Sequence, residues 1–248
     1  MKIEKQIRKT GANIMNISAI ILAAGKGSRM KKTINKQFLE IEKKPILSYT
    51  IEAFLASKRV NEIILVINPL EEDLIDKKII QSISSDRKNI IRITYGGQER
   101  YNSVYNGLKQ LEKGCQGVLI HDGARPLISK KIIEKTIEGL SMYDGCLVGV
   151  KAKDTYKVVD ANMEVKQTVD RQTLFQIQTP QGFRKEVILE AYEKGQNRFE
   201  GITDDGMMVE QFTNYKLLVI EGEYSNIKIT TPDDLELMKT LLKNKEKI

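Results

Sequence analysis

The residues best placed to do chemistry lie near the start of the chain. Ala23-Ala24-Gly25-Lys26-Gly27-Ser28-Arg29-Met30 closes an apolar run from Ala19 to Ala24 and leads into Lys31, Lys32 and Lys36. Glycines at 25 and 27 let the backbone turn tightly and bring its N–H groups close to a ligand, which makes an anion site. With Arg29, Lys31, Lys32 and Lys36 beside it, the pattern points to a phosphate-rich ligand. It is neither of the two commonest phosphate fingerprints. A Walker loop needs a glycine five residues after Gly25, and so does the Gly-x-Gly-x-x-Gly dinucleotide loop; Met30 stands there.

Two further stretches carry polar groups after apolar runs. One is Gly96-Gly97-Gln98-Glu99-Arg100, which opens a helical pattern through Ser103. The other is His121-Asp122-Gly123-Ala124-Arg125-Pro126. A carboxylate at a strand end facing a triphosphate is a natural ligand for Mg²⁺ or for a substrate hydroxyl, so Asp122 is the candidate metal residue. Arg125 has two uses, to hold a phosphate or to pair with Asp122. His121, the single histidine, reads as a packing residue of the loop, and Cys115 and Cys146 form no C-x-x-C pair, so a zinc site of ordinary composition is excluded.

The elements around these loops alternate strand and helix. Strands are expected at 19–24, 62–67, 90–95 and 117–120, and helices after Pro45, over 74–83 and from Gln98 through Leu111. Such alternation predicts an α/β fold, a mostly parallel Rossmann-like sheet with helices on both faces. Ligands bind at the carboxyl ends of strands in these sheets, so the three loops should converge on one edge. After a strand at 147–150 the pattern changes to a β-hairpin, roughly Thr155 to Val169, predicted to project as an arm. A two-stranded arm is marginal alone and calls for a partner surface, most simply its twin in a second subunit. Beyond it are expected a strand at 174–178 ending before Thr179-Pro180, a helix over 181–194, and a helix capped by Thr203. Strands at 216–221 and 226–230 and a closing helix from Thr231-Pro232 follow. Lys228 stands at the end of that last strand, within reach of the same pocket.

At 248 residues and 41% hydrophobic content the chain suits one domain, 16–248, with the arm at about 151–175 as an excursion. Residues 1–15 read as an extension, disordered or upstream of a start at Met15, and lack the apolar core of a signal peptide. The net charge of +7 is spread over scattered lysines rather than a basic stripe, and tryptophan is absent, so nucleic acid is not the expected partner. No apolar segment is long enough to span a membrane, and a cytoplasmic location is expected.

The motifs taken together resemble the 2-C-methyl-D-erythritol 4-phosphate cytidylyltransferases, nucleotidyltransferases of the non-mevalonate isoprenoid pathway. The resemblance runs from about Ile17 to the final helix. It rests on Ala23-Ala24-Gly25-x-Gly27-x-Arg29-Met30, Lys36-Gln37, Gly97-x-Glu99-Arg100-x-x-Ser103 and Val118-Leu-Ile-His-Asp122-x-Ala-Arg125-Pro126. It continues through Asp154-Thr155, Thr168-Val-Asp170-Arg171, Gln178-Thr179-Pro180-Gln181, Thr203-Asp204 and Asn226-Ile227-Lys228. It implies transfer of a cytidylyl group from CTP to 2-C-methyl-D-erythritol 4-phosphate with Mg²⁺, in a homodimer. Arg29 and Lys36 would stabilise charge at the α-phosphate, and Lys228 would place the reacting phosphates. Ala23, Ala24, Gly25 and Gly27 would hold the triphosphate, while Gly97, Gln98 and Ser103 would frame cytosine and ribose. Asp122, Arg125, Thr179 and Thr203 would line the acceptor site, with Gly123 a further binding residue. Thr155 and Arg171 would come from the other subunit's arm to the acceptor phosphate. Gln98 and Ser225 stand where the family often carries acids. A ribitol-5-phosphate cytidylyltransferase is the nearest alternative, and a Rossmann-type oxidoreductase or sensor module is the alternative of another class.

Overall fold

The computed structural model describes residues 15–25, 35–196 and 198–245, except the side chains of Lys36 and Lys245. Gly27 and Arg29 therefore lie outside the described residues, as do residues 1–14.

A seven-stranded sheet forms the body. Its strands in chain order are β1 (Ile17–Leu22), β4 (Val60–Ile67), β5 (Ile91–Tyr95), β6 (Gly117–Asp122), β7 (Gly145–Lys151), β10 (Phe175–Arg184) and β11 (Leu217–Glu221). Across the sheet they lie in the order β11-β7-β10-β6-β1-β4-β5. All neighbours run parallel except β10, which is antiparallel to both β6 and β7. The inner strands are buried on both faces, and their side chains sort by the period of two. Ile17, Ala19 and Ile21 enter one core with Phe54 and Ile133. Ile20 enters the other, with Val104 and Ile188.

Helices cover both faces. On the first lie α1 (Ile46–Leu55), the short α2 (Glu72–Ile75) and α4 (Lys130–Leu140); on the second, α3 (Arg100–Leu108), α5 (Lys185–Lys194) and α6 (Asp205–Phe212). A third small core, with Ile41, Leu127, Ile229 and Met238, seats α7 (Pro232–Lys245) beside the two-residue strands β2 (Glu40–Ile41) and β3 (Lys44–Pro45). The acids at the start of α7 act as expected: Asp234 accepts from the N–H groups of Thr230 and Thr231 at 2.7 and 2.8 Å.

The hairpin is present as β8 (Lys157–Val159) and β9 (Val165–Thr168), a separate antiparallel ladder outside the main sheet. Its turn is held by Asp160, whose Oδ1 accepts from the N–H groups of Asn162 and Glu164 at 2.9 and 3.1 Å.

Four local expectations are corrected. The strand expected to stop before Thr179-Pro180 runs on to Arg184, and the helix starts at Lys185 rather than Gln181. The missing N–H of Pro180 is absorbed by a register irregularity between Ile177 and Gln181. The cap of α6 is Asp204, whose side chain accepts from Met207 N at 2.8 Å, not Thr203. Residues 226–230 form a loop and not a strand; Ile229 N donates to Ala124 O outside any sheet ladder. The helix expected over 74–83 is one turn, α2, continued by a π-helical turn at Asp76–Ile80.

Candidate active site at the carboxyl edge of the sheet

The three loops meet. Ala23 N donates to Val66 O at 2.7 Å, so β1 leaves the sheet beside β4. Gly96 N donates to Ile67 O at 2.8 Å, which folds the second loop back over the same edge. A Cβ at Gly96 would stand 2.3 Å from the Ala24 Cβ, so only glycine allows the opening loop and the second loop to touch. Gly123 N donates to Leu22 O at 2.9 Å, which draws in the third loop. Among the described residues, nothing lies within 4 Å of where a Cβ at Gly25 would be. Gly97 N donates to Ser103 Oγ at 3.1 Å, fixing the start of α3, while Gln98 is exposed beside it.

Asp122, at the end of the central strand β6, is the electrostatic focus. Lys228 Nζ lies 2.7 Å from its Oδ2, Arg100 Nε 3.5 Å from Oδ1 and Arg125 Nε 4.0 Å from Oδ2. Burial works to raise the carboxyl pKa, but Arg100, Lys228 and Arg125 outweigh it and hold the group well below the usual carboxylate range. Arg100 forks onto a second acid, Asp205, with Nη1–Oδ1 3.0 Å and Nη2–Oδ2 2.7 Å, and Tyr192 Oη donates to that acid at 2.8 Å. Burial opposes the charge on Arg100, but Asp205 and Asp122 outweigh it and raise its pKa above the ordinary value. Burial also lowers the pKa of Arg125, with Asp122 pulling the other way. Three cations against two carboxylates leave one positive charge on a group of partly buried side chains, a setting for an anion.

A polar chain behind Asp122 fixes the floor. Thr179 Oγ1 accepts from Asp122 N at 3.1 Å and lies 3.0 Å from His121 Nδ1; His121 Nε2 lies 3.2 Å from Arg125 O. A carbonyl only accepts, so Nε2 carries the proton and Thr179 donates to Nδ1. His121 is fully buried against Phe54, ring centroids 5.0 Å apart, and burial pushes its pKa down to about 3. Both ring nitrogens are occupied, which agrees with the packing role expected for it. Asn226 ties the loop bearing Lys228 to this floor: its Nδ2 donates to Thr179 O at 2.9 Å, and its backbone carbonyl accepts from Arg125 Nη1 at 2.8 Å.

The remaining expected residues fall around this cluster or away from it. Lys36 opens a 3₁₀ turn, Lys36–Phe38, next to the opening loop, because Gln37 Nε2 donates to Ala23 O at 3.0 Å. Thr203 is exposed just before the Asp204 cap, its Oγ1 3.5 Å from Met207 Sδ. Thr155 and Arg171 are exposed on the arm, and Arg171 Nη1 donates to Lys153 O at 3.2 Å. Among the described residues of one copy, neither makes a hydrogen bond or ion pair with Asp122. Sequence reasoning missed Asp205, Tyr192 and Asn226 as parts of the site. Asp205 lies 105 residues from Arg100, and nothing in local spacing pairs them. Asp205 directly follows the Thr203-Asp204 pair, beside the acid that caps α6.

Mg²⁺ finds little here from the chain itself. Asp122 is already matched by three cations, and among the described residues no group of three or more His, Cys, Asp or Glu side chains could hold a metal ion. Asp122 thus belongs to no group of three such side chains among the described residues, and its carboxylate faces three cations.

A mostly parallel α/β sheet, with a glycine turn and a cationic cluster at its carboxyl edge, defines the class of nucleotide-handling α/β proteins. Residues 17–244 match the family profile described as IspD, 2-C-methyl-D-erythritol 4-phosphate cytidylyltransferase. A protein of that name from Alkaliphilus oremlandii (strain OhILAs) is 44% identical over 233 residues, 94% of this chain and 98% of its own length. One from Clostridium botulinum (strain Eklund 17B / Type B) is 46% identical over 219 residues, 88% and 96% of the two chains. Among solved structures, the 4-diphosphocytidyl-2C-methyl-D-erythritol synthase of Anaerococcus prevotii DSM 20548 superposes with a TM-score of 0.83. The two are 38% identical, with 93% of this chain and 97% of that one covered. The chain belongs to the 2-C-methyl-D-erythritol 4-phosphate cytidylyltransferase family.

Proposed function

We propose that this chain joins CTP and 2-C-methyl-D-erythritol 4-phosphate to give 4-diphosphocytidyl-2-C-methyl-D-erythritol and pyrophosphate. The observation that carries the reading is the Asp122 cluster, a positively biased group of side chains placed where three strand-end loops meet, in a chain of this family. The acceptor phosphate is already ionised at neutral pH, so no side chain need take a proton. An oxygen of that phosphate forms a bond to the α-phosphorus, and the bond to pyrophosphate breaks. Positioning and charge stabilisation then carry the rate. Asp122 holds Lys228 Nζ at 2.7 Å, so an entering phosphate meets an ammonium already oriented. Arg29 and Lys36 act at the α-phosphate, and Arg125 and Thr179 form the acceptor side. Gly97 and Ser103 shape the nucleoside side, with Gln98 at its rim.

Mg²⁺, when present, would supply charge neutralisation at the nucleotide phosphates, with Asp122 the one side chain of the site expected to hold it. The arm belongs to the single domain 16–248 and docks onto a second copy, which brings Thr155 and Arg171 to the neighbour's acceptor phosphate. Among the described residues no helix is long and apolar enough to cross a membrane, and the proposed location is the cytoplasm. The test is pyrophosphate release from CTP and Mg²⁺ with each polyol phosphate in turn. A higher kcat/KM is expected with 2-C-methyl-D-erythritol 4-phosphate than with ribitol 5-phosphate; the reverse order would overturn the reading.

A further inference from the structure

Glu71 lies outside every motif singled out above, yet it holds both neighbours of Lys36. It closes the 3₁₀ turn after β4, Pro69–Glu71, which Asn68 caps. Asn35 Nδ2 donates to one of its carboxylate oxygens, Oε1. Gln37 Nε2 donates to the other, Oε2, at 2.7 Å, and the same amide nitrogen reaches Ala23 O at 3.0 Å. Gln37 is 4% exposed, and Phe38 beside it is buried in the first core. One carboxylate therefore clamps the exit of the glycine loop against its entrance, with the Lys36 backbone between the two donors. The next residue makes a single exposed bond near the second loop: Glu72 Oε2 accepts from Tyr95 Oη at 2.7 Å, one residue before Gly96.

We propose that Glu71 is a positioning residue for the reaction, setting the place of Lys36 relative to Ala23 by receiving Asn35 and Gln37 on its two oxygens. The proposal rests on the reading of Lys36 as a residue that acts on the α-phosphate. An ionised carboxylate suits the task because it is acceptor-only, with lone pairs on both oxygens. A glutamine there presents an N–H to one of two donors and breaks one side of the clamp. Small displacements of a charged group from the reacting phosphorus are costly, on the order of 100-fold for about 1 Å.

The test is a double-mutant cycle. Glu71→Gln is expected to lower kcat on the order of 10- to 100-fold, with little change in the KM of the polyol phosphate and in Tm. In a Lys36→Ala background the same change is expected to cost nothing further, because Glu71 acts through Lys36. Additive losses would overturn the role of Glu71 while leaving that of Lys36 intact. Wild-type turnover in Lys36→Ala alone would remove the reading of Lys36 and the proposal with it. A readout free of activity is amide hydrogen exchange over residues 35–38. Exchange is expected to speed up in Glu71→Gln and, to a lesser degree, in Asn35→Ala, and unchanged protection in both would also overturn the proposal.

Discussion

His121 stands one residue before the carboxylate of the site, with both nitrogens spent on Thr179 and Arg125 O. Its folded pKa, about 3, lies below the usual value of 6.5 because burial disfavours the charged ring. The unfolded chain therefore binds the extra proton first, and stability falls as pH drops from 6.5 towards 3. Between pH 7 and pH 5 this one group should remove about 2 kcal/mol. His121→Gln is expected to be less stable at pH 7 but to lack that part of the loss, as denaturant unfolding at the two pH values would show. Asp122 acts lower. Its depressed pKa gives stability that is present above the ordinary carboxylate value and lost only as pH falls through the folded value, so it contributes nothing to the pH 7 to pH 5 difference. Arg29 and Lys36 belong to the other kind of residue, cations beside a glycine turn rather than in an apolar pattern. Arg29→Ala and Lys36→Ala should each lose on the order of 100- to 1000-fold in kcat with Tm nearly unchanged. Near-normal turnover in either would return that residue to the solvated surface.

At the scale of elements the constraint is how closely the loops approach. Gly96→Ala places a methyl group 2.3 Å from Ala24 Cβ and 2.9 Å from Ser103 Oγ, and neither neighbour is a flexible chain end. The loops must part, at about 1–3 kcal/mol. The expected kinetic signature is a rise in the KM for CTP larger than the change in the KM for the polyol phosphate. The sequence made much of this level legible. Apolar runs ending in glycine-rich turns marked three strand ends, and the parallel-sheet rule put them on one edge. The misreadings have physical causes. Thr179-Pro180 looked like a strand end because proline removes a ladder donor, yet a register irregularity carries β10 through to Arg184. Residues 226–230 alternate like a strand, but their backbone N–H groups bond to Glu223 O, Ser225 O, Ala124 O and the side chain of Asp234 rather than to a sheet neighbour. Thr203 and Asp204 are equally good caps by type, and only the geometry of the turn selects the acid. The Arg100–Asp205 fork and the Glu71 clamp join distant segments of the chain, and no local spacing announces such pairs.

For the whole molecule the arm sets the question of assembly. Val158, Val159 and Val165 are 41%, 40% and 60% exposed on a two-stranded ladder, a poor solution for a monomer. A dimer is expected in sedimentation, and truncating the arm should yield monomers. If Arg171 serves the neighbour's site, mixing inactive Arg29→Ala protein with inactive Arg171→Ala protein restores partial activity. One site of the mixed dimer then carries both lesions and the other carries neither. No recovery despite demonstrated subunit exchange would place Arg171 at its own subunit's site or at none.

The antiparallel strand has a consequence for how the chain comes off the ribosome. β6 and β7 are made early, but the strand that lies between them, β10, is made after the arm. Until residue 184 has emerged, the nascent sheet carries a slot flanked by two strands with unmet backbone groups. The arm is therefore synthesised before the sheet it springs from is whole, and Gln178, Thr179 and Gln181 arrive with the strand that closes the gap. A chain released after Thr173 is expected to aggregate even though it contains the glycine turn, the Gly96 loop and Asp122. Pelleting of ribosome-released fragments ending before and after Arg184 would locate the length at which the protein becomes soluble.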